Sequence, residues 1–316
     1  MKLSRRRFGT HLSAGAAGLA LAACGASDAS DDASDKRAVV LVHGAWFGAW
    51  AYAGVAPRLA AQGITAVAID LPGHGLAAAF PSSYFQRPLD PVAFATEPSP
   101  VAQVSVANHV NAVLSAVDGL AAAGFNRVSL LGHSLAGVVI TAAAEMAPQK
   151  MNKLIYLSAY MPVTARPAGA YFDTAQGMQS QLTRLLLADP MQVGASRLDP
   201  RSVDPDYIAA TKSALCADAS DNVARAMMNM MSCDEPASSL STPTGATAAR
   251  WGSIARSYIG CTLDNAVTPD LQALFISEAD ALTPGNKTDV KSLVSSHCPF
   301  LSQPDALADI IATVAA

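Results

Sequence analysis

The stretch Arg127–Gly137, RVSLLGHSLAG, decides how this chain is read. Val128, Leu130 and Leu131 make a short apolar run with the length of a buried strand. Gly132 interrupts it, and from Ala136 onward small apolar residues continue long enough for a helix. Ser134 therefore stands at the join of strand and helix. Gly132 and Ala136 flank it with little or no side chain, so the backbone can turn tightly there without clash. The free N–H groups and positive dipole end of the following helix face the serine.

Outward from this point the pattern repeats. AVVLVHG (38–44), ITAVAIDLPG (64–73), KLIYLSAYMP (153–162), SYIGCTLD (257–264) and VKSLVSS (290–296) are apolar runs of strand length. Helical stretches separate several of them, including Trp50–Gln62, Val106–Ala123 and Pro304–Val314. This alternation predicts an α/β fold with a doubly wound, mostly parallel sheet. Two insertions break the spacing. One lies between Gly75 and Val106. The other, residues 163–250, is too long for a plain loop, and its segments AGAYFDTAQGMQSQLTRLLLADP and VARAMMNMMS predict an inserted helical cap. The core is then 37–162 together with 251–316.

Residues 132–137 resemble the nucleophile elbow of the α/β-hydrolase family, with Ala136 where a second glycine is usual. A serine hydroxyl needs a base, and the base needs an orienting carboxylate. The resemblance implies the chain order serine, acid, histidine. His297 is the only histidine after Ser134. Asp264 ends an apolar run, whereas its competitors Asp270, Asp280 and Asp289 do not. The expected triad is Ser134, Asp264 and His297. The oxyanion of acyl transfer needs donors aimed at it. The elbow offers the N–H of Leu135, and His43-Gly44-Ala45-Trp46 resembles the family's H-G-x motif, which implicates the N–H of Ala45. His43 and His133 are expected to bond backbone around this hole, His74 to be a loop residue, and His109 to lie on a helix.

VLVHGAWFGAWAY, AIDLPGHG, GHSLAG, LSAYMP, YIGCTLDNAVTPDLQ and SHCPFLSQPDALADII occur in that order. Together they resemble the plant methylesterase and hydroxynitrile lyase branch and its bacterial pyrethroid-hydrolase-like esterases, most weakly over 76–104 and 165–250. The lyases of this pattern carry lysine after the catalytic histidine and threonine after the histidine of the first loop. Here those positions are Cys298 and Gly44, which favours hydrolysis. The resemblance implies a serine carboxylic ester hydrolase for small to medium apolar esters, with no cofactor. The alternatives are a hydroxynitrile lyase-like C–C lyase and a non-catalytic ligand binder on the same fold.

Trp46, Tyr160, Met227 and Met228 are candidate pocket residues, and Trp50, Phe80, Tyr84 and Phe85 are candidates for its rim. Cys261 and Cys298 lie on the acid and base loops and Cys216 and Cys233 in the cap, so Cys261–Cys298 and Cys216–Cys233 are candidate disulfides in an oxidising compartment. The alternative is four buried thiols acting as small apolar groups.

The chain's first residues carry a different message. Arg5, Arg6 and Arg7 precede an apolar run, Leu12–Ala23, too short to span a bilayer. Ser4–Phe8 resembles the twin-arginine signal, and Leu21-Ala22-Ala23-Cys24 a lipoprotein box. The expectation is an export signal over 1–24, lipidation at Cys24, a flexible linker over 25–36, and a periplasmic, membrane-anchored or secreted protein. Of the 316 residues 51% are hydrophobic and 15% charged, enough apolar material for a sizeable core. A net charge of -4 argues against a general nucleic-acid binder. Neither C-x-x-C nor H-E-x-x-H occurs, so no metal is expected. The expected partner is a small-molecule ester, with the membrane touched only through Cys24.

Overall fold

In chain order the strands are β1 (Arg37–Val42), β2 (Thr65–Ile69), β3 (Arg127–His133), β4 (Lys153–Leu157), β5 (Ala195–Arg197), β6 (Asp234–Pro236), β7 (Arg256–Cys261) and β8 (Asp289–Leu293). The computed structural model describes residues 36–315. The expected export signal, Cys24 and the linker up to residue 35 lie outside them. Six strands form one sheet in the order β2-β1-β3-β4-β7-β8, and every pairing in it is parallel. The α/β expectation holds. β1 and β3 are buried along nearly their whole length, which is why both read as unbroken apolar runs. β8, at the sheet edge, alternates and is mostly exposed.

From β1 the chain crosses to β2 on one side and returns to β3 on the other. This reversal opens a crevice at the carboxyl ends of β1 and β3, the place where open α/β sheets bind ligands. Helices cover the sheet. Val106–Ala122 starts with a capping box, in which the Ser105 and Asn108 side chains bond each other's backbone N–H, and it buries Val110, Val113 and Val117 along one face. Burying such a side chain stabilises by about 1.5–3 kcal/mol. The helix expected over Trp50–Gln62 is split into a 3-10 turn at Ala49–Tyr52 and an α-helix at Ala56–Ala61, the latter opened by Pro57.

Segment 163–250 departs further from expectation. Helices Pro205–Leu215 and Asp221–Met230 form. The stretch expected to be helical from Ala168 instead makes three 3-10 turns, Ala168–Asp173, Gly177–Gln179 and Thr183–Leu185. Close folding explains it: a Cβ on Gly177 would stand 1.9 Å from the Tyr171 carbonyl oxygen. An unforeseen antiparallel pair also forms, β5 with β6, in the register Ala195↔Pro236, Ser196↔Glu235 and Arg197↔Asp234. Arg197 and Asp234 form a buried two-pronged ion pair, with Nε and Nη2 each 2.7 Å from a carboxylate oxygen. Arg197 also donates to the carbonyls of Phe94 and Glu97, clamping the insertion after β2 to this pair. Breaking such a buried pair costs about 3–5 kcal/mol. The described residues fall within one compact unit, and among them no helix is long and apolar enough to cross a membrane.

The two candidate disulfides are not formed. Cys216, Cys233, Cys261 and Cys298 are all free, buried thiols. Cys233 packs with Tyr84 and Phe94 in a separate apolar cluster. Cys216 lies in the main core, where it and Cys261 both raise the Cys298 thiol further after burial has done most of the work.

Candidate active site

Strand β3 ends where the sequence changes from strand to helix, and there Ser134 takes φ 55°, the left-handed region that costs a non-glycine residue energy. The turn is held on both sides. Ser134 N–H donates to the Leu157 carbonyl at 3.2 Å, and Tyr160 N–H donates to the Ser134 carbonyl at 3.0 Å. The exit of β4 is thus bonded to the serine turn. Gly137 is required by this approach, since a Cβ there would meet the Tyr160 carbonyl oxygen at 1.8 Å. Gly132 has a milder constraint, with the Ala136 carbonyl oxygen 3.0 Å from its would-be Cβ.

Asp264 follows β7 and is buried. Its Oδ1 accepts from the N–H groups of Ala266 at 2.7 Å and Val267 at 3.0 Å. Its Oδ2 lies 2.7 Å from His297 Nδ1 and also accepts from the Ser158 hydroxyl. A carboxylate accepts, so this contact keeps the imidazole proton on Nδ1 and leaves Nε2 as the acceptor. Ser158 has φ 41° directly after β4, and its hydroxyl also accepts from Gln272 Nε2 at 3.3 Å. Sequence reading missed both Ser158 and Gln272. An apolar strand with no carboxylate at its end gave no sign that its next residue would bond the carboxylate of Asp264, after another strand.

His297 is brought to the serine turn through His133. His133 Nε2 donates to the His297 carbonyl at 2.9 Å, and the two rings stand 4.5 Å apart. Burial, then the neighbouring His297, pushes the His133 pKa well below the usual histidine range, so the ring is a neutral spacer. His43 has a similar role on the other side. Its Nδ1 donates to the Gly44 carbonyl at 2.8 Å, and its Nε2 accepts from Leu71 N–H at 3.0 Å. Burial lowers its pKa to about 3, with His74 adding to the effect. The loop after β1 is thereby fixed. Gly44 has no room for a Cβ, which would stand 2.8 Å from both His133 Nδ1 and Ser134 Cβ. Among the described residues neither the Ala45 nor the Leu135 N–H has a protein acceptor.

A narrow cavity opens over Ser134, with about 30 Å³ free to a water-sized body. Ala45, Trp46, Ser134, Leu135 and Tyr160 line its floor, and Phe172, Leu182, Leu186, Ser196 and Glu235 are among the residues of its roof. Of the candidate pocket residues, Trp46 and Tyr160 are here. Met227 and Met228 are not: both face the core from the helix Asp221–Met230. Phe80, Tyr84 and Phe85 do not rim the cavity either; in the insertion after β2, Phe80 stacks on Tyr84 and Phe85 meets both edge to face. His74 lies in the loop after β2, as expected, and is buried there against Glu235. The roof residues carried no motif that could have marked them.

The profile of the Alpha/beta hydrolase family matches residues 39–310. The chain belongs to that family. It is 24% identical over 282 residues to Methylesterase 9 of Arabidopsis thaliana, covering 87% of this chain and 97% of that one. It is 25% identical over 291 residues to Esterase PIR7B of Oryza sativa subsp. japonica, covering 89% and 97%. Among solved structures, the pyrethroid hydrolase PytH superposes with a TM-score of 0.68 at 22% identity over 88% of this chain and 97% of that chain, a likeness of fold. An α/β-hydrolase fold and relatives named esterase and hydrolase make this a hydrolase-type enzyme.

Proposed function

We propose that this protein is a serine carboxylic ester hydrolase for small to medium esters with a largely apolar body. The observation that carries the reading is the buried 2.7 Å contact between His297 Nδ1 and Asp264 Oδ2, on a loop bonded through His133 to the turn that holds Ser134. Ser134 attacks the ester carbonyl as His297 Nε2 takes its proton. Asp264 keeps the ring in the productive tautomer and stabilises the imidazolium. The unpaired N–H groups of Ala45 and Leu135 receive the developing oxyanion. His297 then protonates the leaving alkoxide, and a water activated by the same ring cleaves the acyl-enzyme. Export and lipidation at Cys24 are part of the same proposal, and fatty-acid labelling lost in Cys24→Ser would support them.

The test is a p-nitrophenyl ester series of rising acyl length, run beside Ser134→Ala. Turnover of short esters, with a loss of several orders of magnitude in the variant, is the expected result. An inert parent that releases cyanide from a cyanohydrin would favour the lyase reading. An inert parent that binds esters without cleaving them would favour a ligand binder.

A further inference from the structure

The roof of the cavity carries polar groups that the proposed mechanism does not use. Ser196 and Glu235 are direct cross-strand partners on β5 and β6, so their side chains share one face, and both line the cavity. Arg197 and Asp234, one residue along, turn to the opposite face. The pair is seated on the oxyanion loop: Trp46 Nε1 donates to the Ser196 carbonyl at 2.8 Å, and Ser232 N–H donates to the Trp46 carbonyl at 2.9 Å. Trp46 itself takes φ 63°. The Ser196 hydroxyl is buried with no hydrogen-bond partner among the described residues, and so is the hydroxyl of Tyr160, which lines the same cavity. Glu235 accepts through Oε2 from His74 Nε2 at 2.7 Å, and its carboxylate also lies beside the Ser239 hydroxyl.

Unpaired buried polar groups are rare in folded proteins, because each loses its water and gains nothing in return. Two around one cavity, with the Glu235 carboxylate beside them, mark a place where a ligand completes the bonding. The charge state narrows the ligand. His74 faces acceptors on both ring nitrogens, Pro72 O at 3.2 Å and Glu235 Oε2 at 2.7 Å. Burial opposes charge on this ring, but Glu235, helped by the Pro72 carbonyl and Asp70, holds its pKa above the ordinary histidine value, and Glu235 itself, against its own burial, falls to about 2 chiefly through His74. The buried pair is neutral overall, so it has little net pull on a cation, and no group of His, Cys, Asp and Glu among the described residues is set to hold a metal ion.

We infer that Glu235, Ser196 and Tyr160 form a recognition site for a neutral hydroxyl on the substrate, so that the preferred substrates are hydroxylated esters. This inference rests on the ester hydrolase reading. The test compares esters in which a hydroxyl replaces a methyl group of the same size. The pairs are methyl 2-hydroxybutanoate with methyl 2-methylbutanoate, methyl 3-hydroxybutanoate with methyl 3-methylbutanoate, and 2-hydroxyethyl butanoate with propyl butanoate.

A hydrogen bond to a charged acceptor is worth about 10- to 100-fold in affinity. At least one hydroxyl ester should exceed its methyl partner by that factor in kcat/KM. Glu235→Gln and Ser196→Ala should each reduce the ratio about tenfold. Ser196→Ala removes no buried charge, so it keeps the test alive if Glu235→Gln does not fold. Loss of packing alone would lower both members of a pair together and leave the ratio unchanged. The inference is overturned if every methyl partner is preferred, if the ratio survives both variants, or if butyrylcholine outruns neutral 3,3-dimethylbutyl butanoate by more than any hydroxyl pair. If apolar esters turn over without hydroxyl preference, this inference alone fails. If p-nitrophenyl acetate and all the esters are inert, the hydrolase reading fails with it.

Discussion

The floor and the roof of the cavity are built from different kinds of sequence. Ser134 and Ala45 in the floor, and Asp264 outside the cavity lining, each follow an apolar strand of the parallel sheet, and strand pairing fixes where they stand. The roof comes from 3-10 turns and from strands three residues long, held by Trp46, by the Arg197–Asp234 pair and by packing. A floor made by backbone ladders tolerates little change, because moving one residue moves a whole turn. A roof made by side chains can be re-cut one contact at a time.

Changes to the floor should therefore be large and changes to the roof graded. Asp264→Asn keeps the shape but lets the wrong imidazole tautomer form, and kcat for a p-nitrophenyl ester should fall about 10⁴-fold with the thermal midpoint little changed. A loss of less than tenfold would remove Asp264 from the proposed triad. Gly137→Ala pushes a methyl into the Tyr160 carbonyl and should destabilise by about 3 kcal/mol, read from denaturant midpoints. A neutral result would mean that the contact between the serine turn and the exit of β4 is soft.

The buried histidines set the dependence on pH. His43, His109 and His133 have lowered pKa values, chiefly through burial, so below about 6.5 the unfolded chain takes up protons that the folded chain refuses. His74 is raised, so its contribution runs the other way: it is present below about 6.5 and lost as pH rises through its folded value. Three lowered groups outweigh one raised group. Stability should fall on acidification below pH 6.5, by up to about 1.4 kcal/mol per pH unit for each net proton. Denaturant midpoints between pH 7.5 and 5 measure it, and a flat or rising profile would contradict the balance.

Two smaller effects sharpen the contrast. Ser158→Ala removes a donor to Asp264 Oδ2 and should lower kcat about tenfold while KM holds, as expected of a positioning residue. Leu186→Ala enlarges the roof and should move the acyl-length optimum upward, with a change of only several-fold in kcat/KM for any one ester. Equal losses across all chain lengths would show that Leu186 supports the fold instead of shaping the cavity.

The candidates for the proposed triad could be picked out because their signals are local. A strand followed by Gly-His-Ser-Leu-Ala, an aspartate ending an apolar run and a lone late histidine can each be found without knowing what they touch. The methionines were misplaced for the converse reason. Met227 and Met228 are apolar residues on a helix, and only the packing of that helix decides between cavity and core. The cysteines misled through their even number: partners are chosen by distance, and Cys233 lies in an apolar cluster apart from the core that holds Cys216. Ser158, Gln272 and Glu235 had no motif at all, since each matters through a partner far away along the chain.

By itself the sequence determined the alternation of strands and helices, the order of the sheet's apolar runs, and the residues expected at the nucleophile turn, the acid and the base. Those follow from periodicity and from backbone geometry, which act over a few neighbouring residues. Only the tertiary structure decided which side chains close the cavity. It set Glu235 against His74 across 161 positions and left the Ser196 and Tyr160 hydroxyls beside it without hydrogen-bond partners among the described residues. Burial and charge pairing depend on distance in space, and segments with no periodicity of their own record nothing of it in their local order.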